Sequence, residues 1–99
     1  MNDITNAGER VLVQLRDALA GIRSEIVKAQ SGEEAIDSTD QLQLMASSLE
    51  LMIASVERGN LPSRAERSIG LWRAVIDTWP YDSELRQKVV EAELSYDRL

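Results

Sequence analysis

Apolar side chains recur every three or four residues along most of the chain, which is the spacing of one face of an α-helix. Four stretches follow this pattern, at about residues 4–30, 39–58, 64–79 and 83–97. The first is the longest, and its apolar stripe consists of Ile4, Ala7, Val11, Leu15, Leu19, Ile22 and Ile26. No useful length alternates apolar and polar residues as a strand would. The sequence therefore predicts an all-α protein.

Capping residues and helix breakers separate the four stretches. Ser31-Gly32 and Gly59-Asn60 can end the first two helices, because glycine adopts the left-handed conformation common after a helix. The predicted N-terminal caps are Ser38 or Thr39 for the second helix, Ser63 with Glu66 as a capping box for the third, and Asp82 for the fourth. Short connections favour antiparallel neighbours. We therefore expect residues 1–99 to form one domain, a small antiparallel four-helix bundle.

The aromatic residues cluster late in the chain. Trp72 and Trp79 are seven residues apart on one helical face, with apolar neighbours at helical spacing, which favours burial. Trp79 also begins the sequence Trp79-Pro80-Tyr81, which enters a loop, and aromatic residues in loops are frequent interface anchors. The sequence leaves open whether Trp79 belongs to the core or to an interface. Tyr81 is the aromatic residue that we expect to be exposed.

The amino-acid composition argues against several classes of function. The chain has no Cys and no His, so it lacks thiolate ligands, the most common metal ligand and the most common general base near neutral pH. No stretch approaches the roughly 20 apolar residues that cross a bilayer. We expect a cytoplasmic protein that is not an enzyme and has no catalytic residues, cofactor or metal site.

The net charge of −6 is concentrated in one stretch. Residues 29–57 contain six acidic residues and no Lys or Arg: Glu33, Glu34, Asp37, Asp40, Glu50 and Glu57. Such a field repels nucleic acid and anionic membranes and attracts a basic protein. The first four could bind a cation, but they lack the ligand spacing and central glycine of a calcium loop. We also expect Arg64, Arg67 and Arg73 of the third helix to pair with the acidic second helix.

The first helix offers one enzyme-like alternative. Gln14-Leu15-Arg16 and Ile22-Arg23 resemble the first helix of small helical chorismate mutases, which bind a dicarboxylate with arginines. The spacing to Lys28 departs from that pattern, and the acidic stretch would repel a dianion. We therefore keep this reading only as a remote alternative.

The later helices carry a different resemblance. Three segments resemble small all-helical immunity proteins. They are Gln41-Leu42-Gln43 with the helix running to Leu51, Ser68-Ile69-Gly70, and Asp82-Ser83-Glu84-Leu85 through Ala92. Those proteins neutralise NAD(P)+-consuming toxins delivered by bacterial type VI secretion. The resemblance covers about the last 60 residues. It implies an antitoxin that covers the active site of a cognate toxin and keeps substrate out.

Charge location and loop position in this sequence select the residues expected to bind the partner. These are Glu33, Glu34, Asp37, Asp40, Glu50, Tyr81 and Asp82. The expected partner is a protein toxin with a basic active-site cleft, and we expect neither nucleic acid nor a membrane as a partner. The alternative is a homodimeric helical adaptor or secretion chaperone that presents an apolar groove.

Overall fold

A computed structural model of the chain describes residues 6–63, 66 and 77–99. These residues form three α-helices and no β-strand: α1 (Asn6–Gln30), α2 (Thr39–Arg58) and α3 (Glu84–Asp97). The predicted all-α class is confirmed for this part of the chain. The described residues do not support a four-helix bundle, because most of the predicted third helix lies outside them.

The helix ends follow local chemistry closely. The Ser38 hydroxyl accepts the N–H of Gln41 over 3.2 Å, and α2 has the bounds predicted from the sequence. The last helix is capped by Ser83 and not by Asp82, because the Ser83 hydroxyl accepts the N–H of Arg86 over 3.2 Å. Asp82 instead lies inside a turn that is closed by a hydrogen bond from the Ser83 N–H to the Pro80 carbonyl.

The predicted capping box at Ser63 and Glu66 is present, whereas the predicted end of the third helix at residue 79 is wrong. The Ser63 hydroxyl accepts the Glu66 N–H over 3.4 Å, and a Glu66 carboxylate oxygen accepts the Ser63 N–H over 3.3 Å. This reciprocal pair is the predicted capping box. At the other end, residues 77–79 form a turn and not the last helical residues. The residue before a proline is disfavoured in the α conformation, and Trp79 precedes Pro80.

Helix α1 lies between the other two helices. Arg16 and Arg23 of α1 pair with Glu57 and Glu50 of α2, at 2.7 and 3.2 Å, so the residue numbers fall on one helix as they rise on the other. Helices α1 and α2 are therefore antiparallel. Asp17 of α1 contacts Lys88 of α3 at 3.5 Å and Gly21 faces Leu85, so α1 and α3 are antiparallel as well. Since both partners oppose α1, α2 and α3 run in the same direction.

The central position of α1 explains how its buried face differs from the prediction. The buried apolar residues of α1 are Val11, Leu12, Leu15, Ala18, Leu19 and Ile22. Leu12 and Ala18 fall outside the predicted stripe. The buried face is wider than predicted because two helices pack against α1. Ala7 is exposed, contrary to the prediction, and Ile26 is half-buried.

Helix α1 also approaches α3 closely at a glycine. A Cβ atom added to Gly21 would lie 2.5 Å from a terminal methyl carbon of Leu85. The absence of a side chain at Gly21 thus makes room for Leu85. The apolar face of α3 consists of Leu85, which is half-buried, and of Val89, Ala92 and Tyr96, which are buried.

Candidate protein-binding surface

The candidate surface begins at the connection between α1 and α2. The Glu33 N–H donates to the Lys28 carbonyl over 2.9 Å, and Gly32 adopts a left-handed φ of 80°. A residue with a side chain is rarely found in this conformation, so the predicted stop at Ser31-Gly32 is confirmed. The chain leaves α1 at this turn, and Glu33 and Glu34 are left exposed.

Glu25 ties this connection back to α1. One oxygen of its carboxylate accepts the Ile36 N–H over 2.8 Å, and the other lies 2.9 Å from the Lys28 Nζ. Burial raises the pKa of Glu25, but the hydrogen bonds from Lys28 and Ile36 and the charge of Lys28 outweigh it, so the pKa is lowered overall. The hydrogen bond and charge of Glu25, with a smaller contribution from Glu33, raise the pKa of Lys28.

Asp37 ties the same connection to a second loop. The Trp79 indole N–H donates to one oxygen of the Asp37 carboxylate over 2.9 Å, and the Ser38 N–H donates to the other over 2.7 Å. Trp79 itself is only 2% exposed, which places it in the core. A buried indole needs an acceptor for its N–H, and Asp37 supplies one. Asp37 therefore positions the two loops relative to each other.

Tyr81 lies two residues beyond this hydrogen bond and faces solvent. Its side chain is 83% exposed, the highest value among the large apolar residues of the described chain. The guanidinium carbon of Arg86 lies 4.6 Å from the centre of its ring, within the range of a cation–π contact. Arg86 also lies 3.9 Å from a carboxylate oxygen of Asp77. The predicted exposure of Tyr81 is confirmed, and Arg86 holds the ring.

The Trp79–Asp37 hydrogen bond brings most of the predicted partner-binding residues to one end of the molecule. We call five exposed residues the acidic end: Glu33, Glu34, Asp40, Tyr81 and Asp82. None of their carboxylates forms a hydrogen bond or ion pair with another described residue. Asp40 also lies in the first turn of α2, where a negative charge stabilises the helix.

Glu50 lies elsewhere. It is ten residues along α2 from Asp40, or about 15 Å at 1.5 Å per residue, and it pairs with Arg23. Glu57 pairs with Arg16, so the acidic second helix is partly neutralised by α1. The sequence predicted instead that the acidic second helix pairs with the third. Glu50 and Glu57 contact α1, and Arg64, Arg67 and Arg73 lie outside the described residues, so their pairing with the second helix stays a prediction.

The sequence did not single out two residues that shape this surface, Glu25 and Arg86, and it did not predict the contact between Trp79 and Asp37. Glu25 and Arg86 act through contacts that join separate parts of the chain, and the partnership of Trp79 with Asp37 spans 42 residues. A carboxylate before a turn and a tryptophan before a proline are ordinary features of a sequence. The spacing of apolar residues therefore did not predict these contacts.

The arginines of the enzyme-like alternative are also occupied. Arg16 and Arg23, which carry the resemblance to mutases, each contact a glutamate of α2. Among the described residues, no group of three or more acidic side chains is arranged to hold a metal ion. Within the same part of the chain, none of the helices has both the length and the apolar character needed to cross a bilayer.

Comparison with known proteins does not assign the chain to a family. No protein-family model matches it, and neither does any curated protein. Function must therefore be argued from the surface itself.

Proposed function

We propose that this protein is an immunity protein, or antitoxin, that binds a cognate bacterial toxin and covers its active site with the acidic end. The observation behind the proposal is the placement of Tyr81, 83% exposed, beside carboxylates that have no partner among the described residues. Tyrosine buries a large area at little conformational cost and is enriched among the residues that dominate binding. Exposed carboxylates around it suit a basic partner.

The proposed mechanism is steric and electrostatic. Toxin clefts that bind nucleotides or nucleic acid are basic, so Glu33, Glu34, Asp40 and Asp82 steer the two proteins together and increase the rate of association. Tyr81 then fills the cleft and excludes substrate. The inhibitor needs no catalytic group, in keeping with the resemblance to immunity proteins against type VI secretion toxins. It acts in the cytoplasm of the cell that makes the toxin.

The hydrogen bonds beneath the acidic end support this mechanism. Glu25 and Asp37 join the two loops to the rest of the protein by hydrogen bonds of 2.8 and 2.9 Å, and Arg86 contacts the Tyr81 ring. A surface that is fixed before binding loses less conformational entropy when the complex forms. We assign Asp37 a positioning role and Tyr81 a contact role.

We also keep the antiparallel four-helix bundle as a proposal. Helices α2 and α3 run in the same direction, so the end of α2 and the start of α3 lie toward opposite ends of α1. The capping box of Ser63 and Glu66 stands where a returning helix would begin. Such a helix would complete an up-and-down bundle.

The function is tested by growth rescue in a bacterial host. The open reading frame beside the gene for this protein is expressed with and without it. Rescue by the natural chain is expected, together with loss of rescue by the variant Glu33→Ser, Glu34→Ser, Asp40→Ser, Tyr81→Ala. The matched control is Glu50→Ser, Glu57→Ser, Glu91→Ser, which also removes three exposed carboxylates and should still rescue. An adjacent product that is not toxic, or equal rescue by both variants, contradicts the proposal.

A further inference from the structure

A groove lies at the other end of the molecule from the acidic end. It is bounded by the first turns of α1 and the end of α3, and its volume is about 610 Å³. Val13, Val11 and Leu99 contribute apolar surface to it, and Val13 is 66% exposed. The exposed surface of the groove is mainly apolar.

Two arginines also line the groove. Arg10 of α1 and Arg98 at the C-terminal cap of α3 are both exposed, and neither side chain forms an ion pair with another described residue. The other arginines of α1, Arg16 and Arg23, do have carboxylate partners. The groove therefore combines an apolar surface with two guanidinium groups that can each bind a carboxylate.

The acidic end has the complementary chemistry. Tyr81 is the exposed apolar side chain that could enter a groove of this kind, and Asp82 and Glu84 follow it with exposed carboxylates. Helix α3 connects the two sites, since it begins next to Tyr81 and ends at Arg98. Each molecule thus carries one site at each end of the same helix, and the two sites of one molecule cannot meet.

We propose that the groove binds the acidic end of a second copy of this chain. Tyr81 of one copy lies against Val13 and Leu99 of the next, and its neighbouring carboxylates face Arg10 and Arg98. The contact is heterologous, so it produces chains or rings and not a closed symmetric dimer. Because it uses the same acidic end as the proposed toxin contact, self-association and toxin binding exclude each other.

The contact is small, so association should be weak and should grow with concentration. The net charge of −6 on each copy opposes it. At about 0.15 M salt, charges separated by more than about 8 Å are largely screened, whereas direct contacts are screened less. This ionic strength is therefore suitable for the measurement.

Sedimentation velocity of the full chain tests the proposal. The natural protein should shift from monomer to larger species as its concentration rises toward about 1 mM, the range of a weak complex. Two variants should each remain monomeric: the groove variant Arg10→Ala, Arg98→Ala and the acidic-end variant Tyr81→Ala, Asp82→Ser. Circular dichroism checks that both variants remain helical. The matched control Arg23→Ala, Arg58→Ala removes two positive charges elsewhere and should associate like the natural protein.

Mixing the two variants gives the sharpest result. The groove variant has an intact acidic end, and the acidic-end variant has an intact groove. An equal mixture should therefore form a 1:1 dimer that does not grow further. A natural chain that remains monomeric overturns the inference, as does a symmetric dimer that both variants still form. Either result leaves the toxin proposal standing, because growth rescue depends on a different protein.

Discussion

The indole N–H of Trp79 donates a hydrogen bond to a carboxylate oxygen of Asp37 over 2.9 Å, although the two residues are 42 positions apart in the chain. This contact fixes the connection between α1 and α2 against the loop that precedes α3. It also keeps a buried tryptophan satisfied and leaves Tyr81 exposed two residues later. The geometry of the acidic end therefore depends on a hydrogen bond inside the protein.

Removal of the Asp37 carboxylate should destabilise the fold. Asp37→Ala leaves the buried indole N–H without an acceptor, which costs about 1–3 kcal/mol of unfolding free energy, measured by urea denaturation. Glu34→Ala, at an exposed neighbouring position with no partner in the described part of the chain, should change stability by less than about 0.5 kcal/mol.

A double-mutant cycle isolates the hydrogen bond itself. Trp79→Phe keeps an aromatic ring in the core but removes the N–H donor. The double variant with Asp37→Ala should lose less unfolding free energy than the two single variants lose in sum. The difference, which is the coupling energy, should be about 0.5–3 kcal/mol. Strict additivity would show that Asp37 stabilises the protein in another way.

The contribution of Glu25 should depend on pH. Its pKa is lowered in the folded protein, so its stabilising effect is present above the ordinary value of about 4.5 and is lost as the pH falls through the lowered pKa. The stability difference between the natural chain and Glu25→Gln should therefore be constant well above pH 4.5 and shrink as the pH falls below it. Hydrogen exchange should show the Ile36 amide losing protection over the same interval. A difference that stays constant with pH would refute this role of the charge.

Gly59 should tolerate few substitutions. It ends α2 with a left-handed φ of 66°, and its N–H caps the helix by donating to Val56 and Ser55 carbonyls. Gly59→Ala should cost about 1–2 kcal/mol in thermal or urea unfolding, because a Cβ atom is disfavoured in this conformation. Gly59→Asn should cost less, since asparagine adopts it more readily. Equal costs for the two variants would argue against a conformational cause.

The ion pairs between α1 and α2 should contribute little to stability. Arg16 and Arg23 and their glutamate partners are all exposed, so Arg23→Ala should cost under about 1 kcal/mol by urea denaturation. In contrast, Leu15→Ala should cost about 2–5 kcal/mol, because Leu15 is fully buried in the core. A larger cost for Arg23→Ala than for Leu15→Ala would mean that charge, and not packing, holds the hairpin together.

The sequence predicted those features that depend on neighbouring residues. Apolar spacing located α1, α2 and α3, and serine and glycine at the helix ends predicted most of the caps, since these interactions reach only three or four residues. Asp82 was the wrong cap because the turn after Pro80 places Ser83, and not its neighbour, at the start of the helix. Both residue types cap helices well, so composition could not separate them.

The sequence did not predict which residues the charged side chains contact. Glu50 and Asp37 belong to the same acidic stretch, yet one pairs with α1 and the other binds Trp79. These contacts follow from how the helices pack, which local patterns do not determine. The sequence located the excess charge, and the structure separated the carboxylates that are occupied from those at the acidic end.

The central claim is that the acidic end is the surface that binds the toxin. Stopped-flow association with the product of the adjacent open reading frame tests it most directly. Glu33→Ser, Glu34→Ser, Asp40→Ser should lower the association rate constant about tenfold or more and flatten its salt dependence. The control Glu50→Ser, Glu57→Ser, Glu91→Ser removes the same charge elsewhere and should have a much smaller effect. Equal association rates for the two triple variants would contradict the claim.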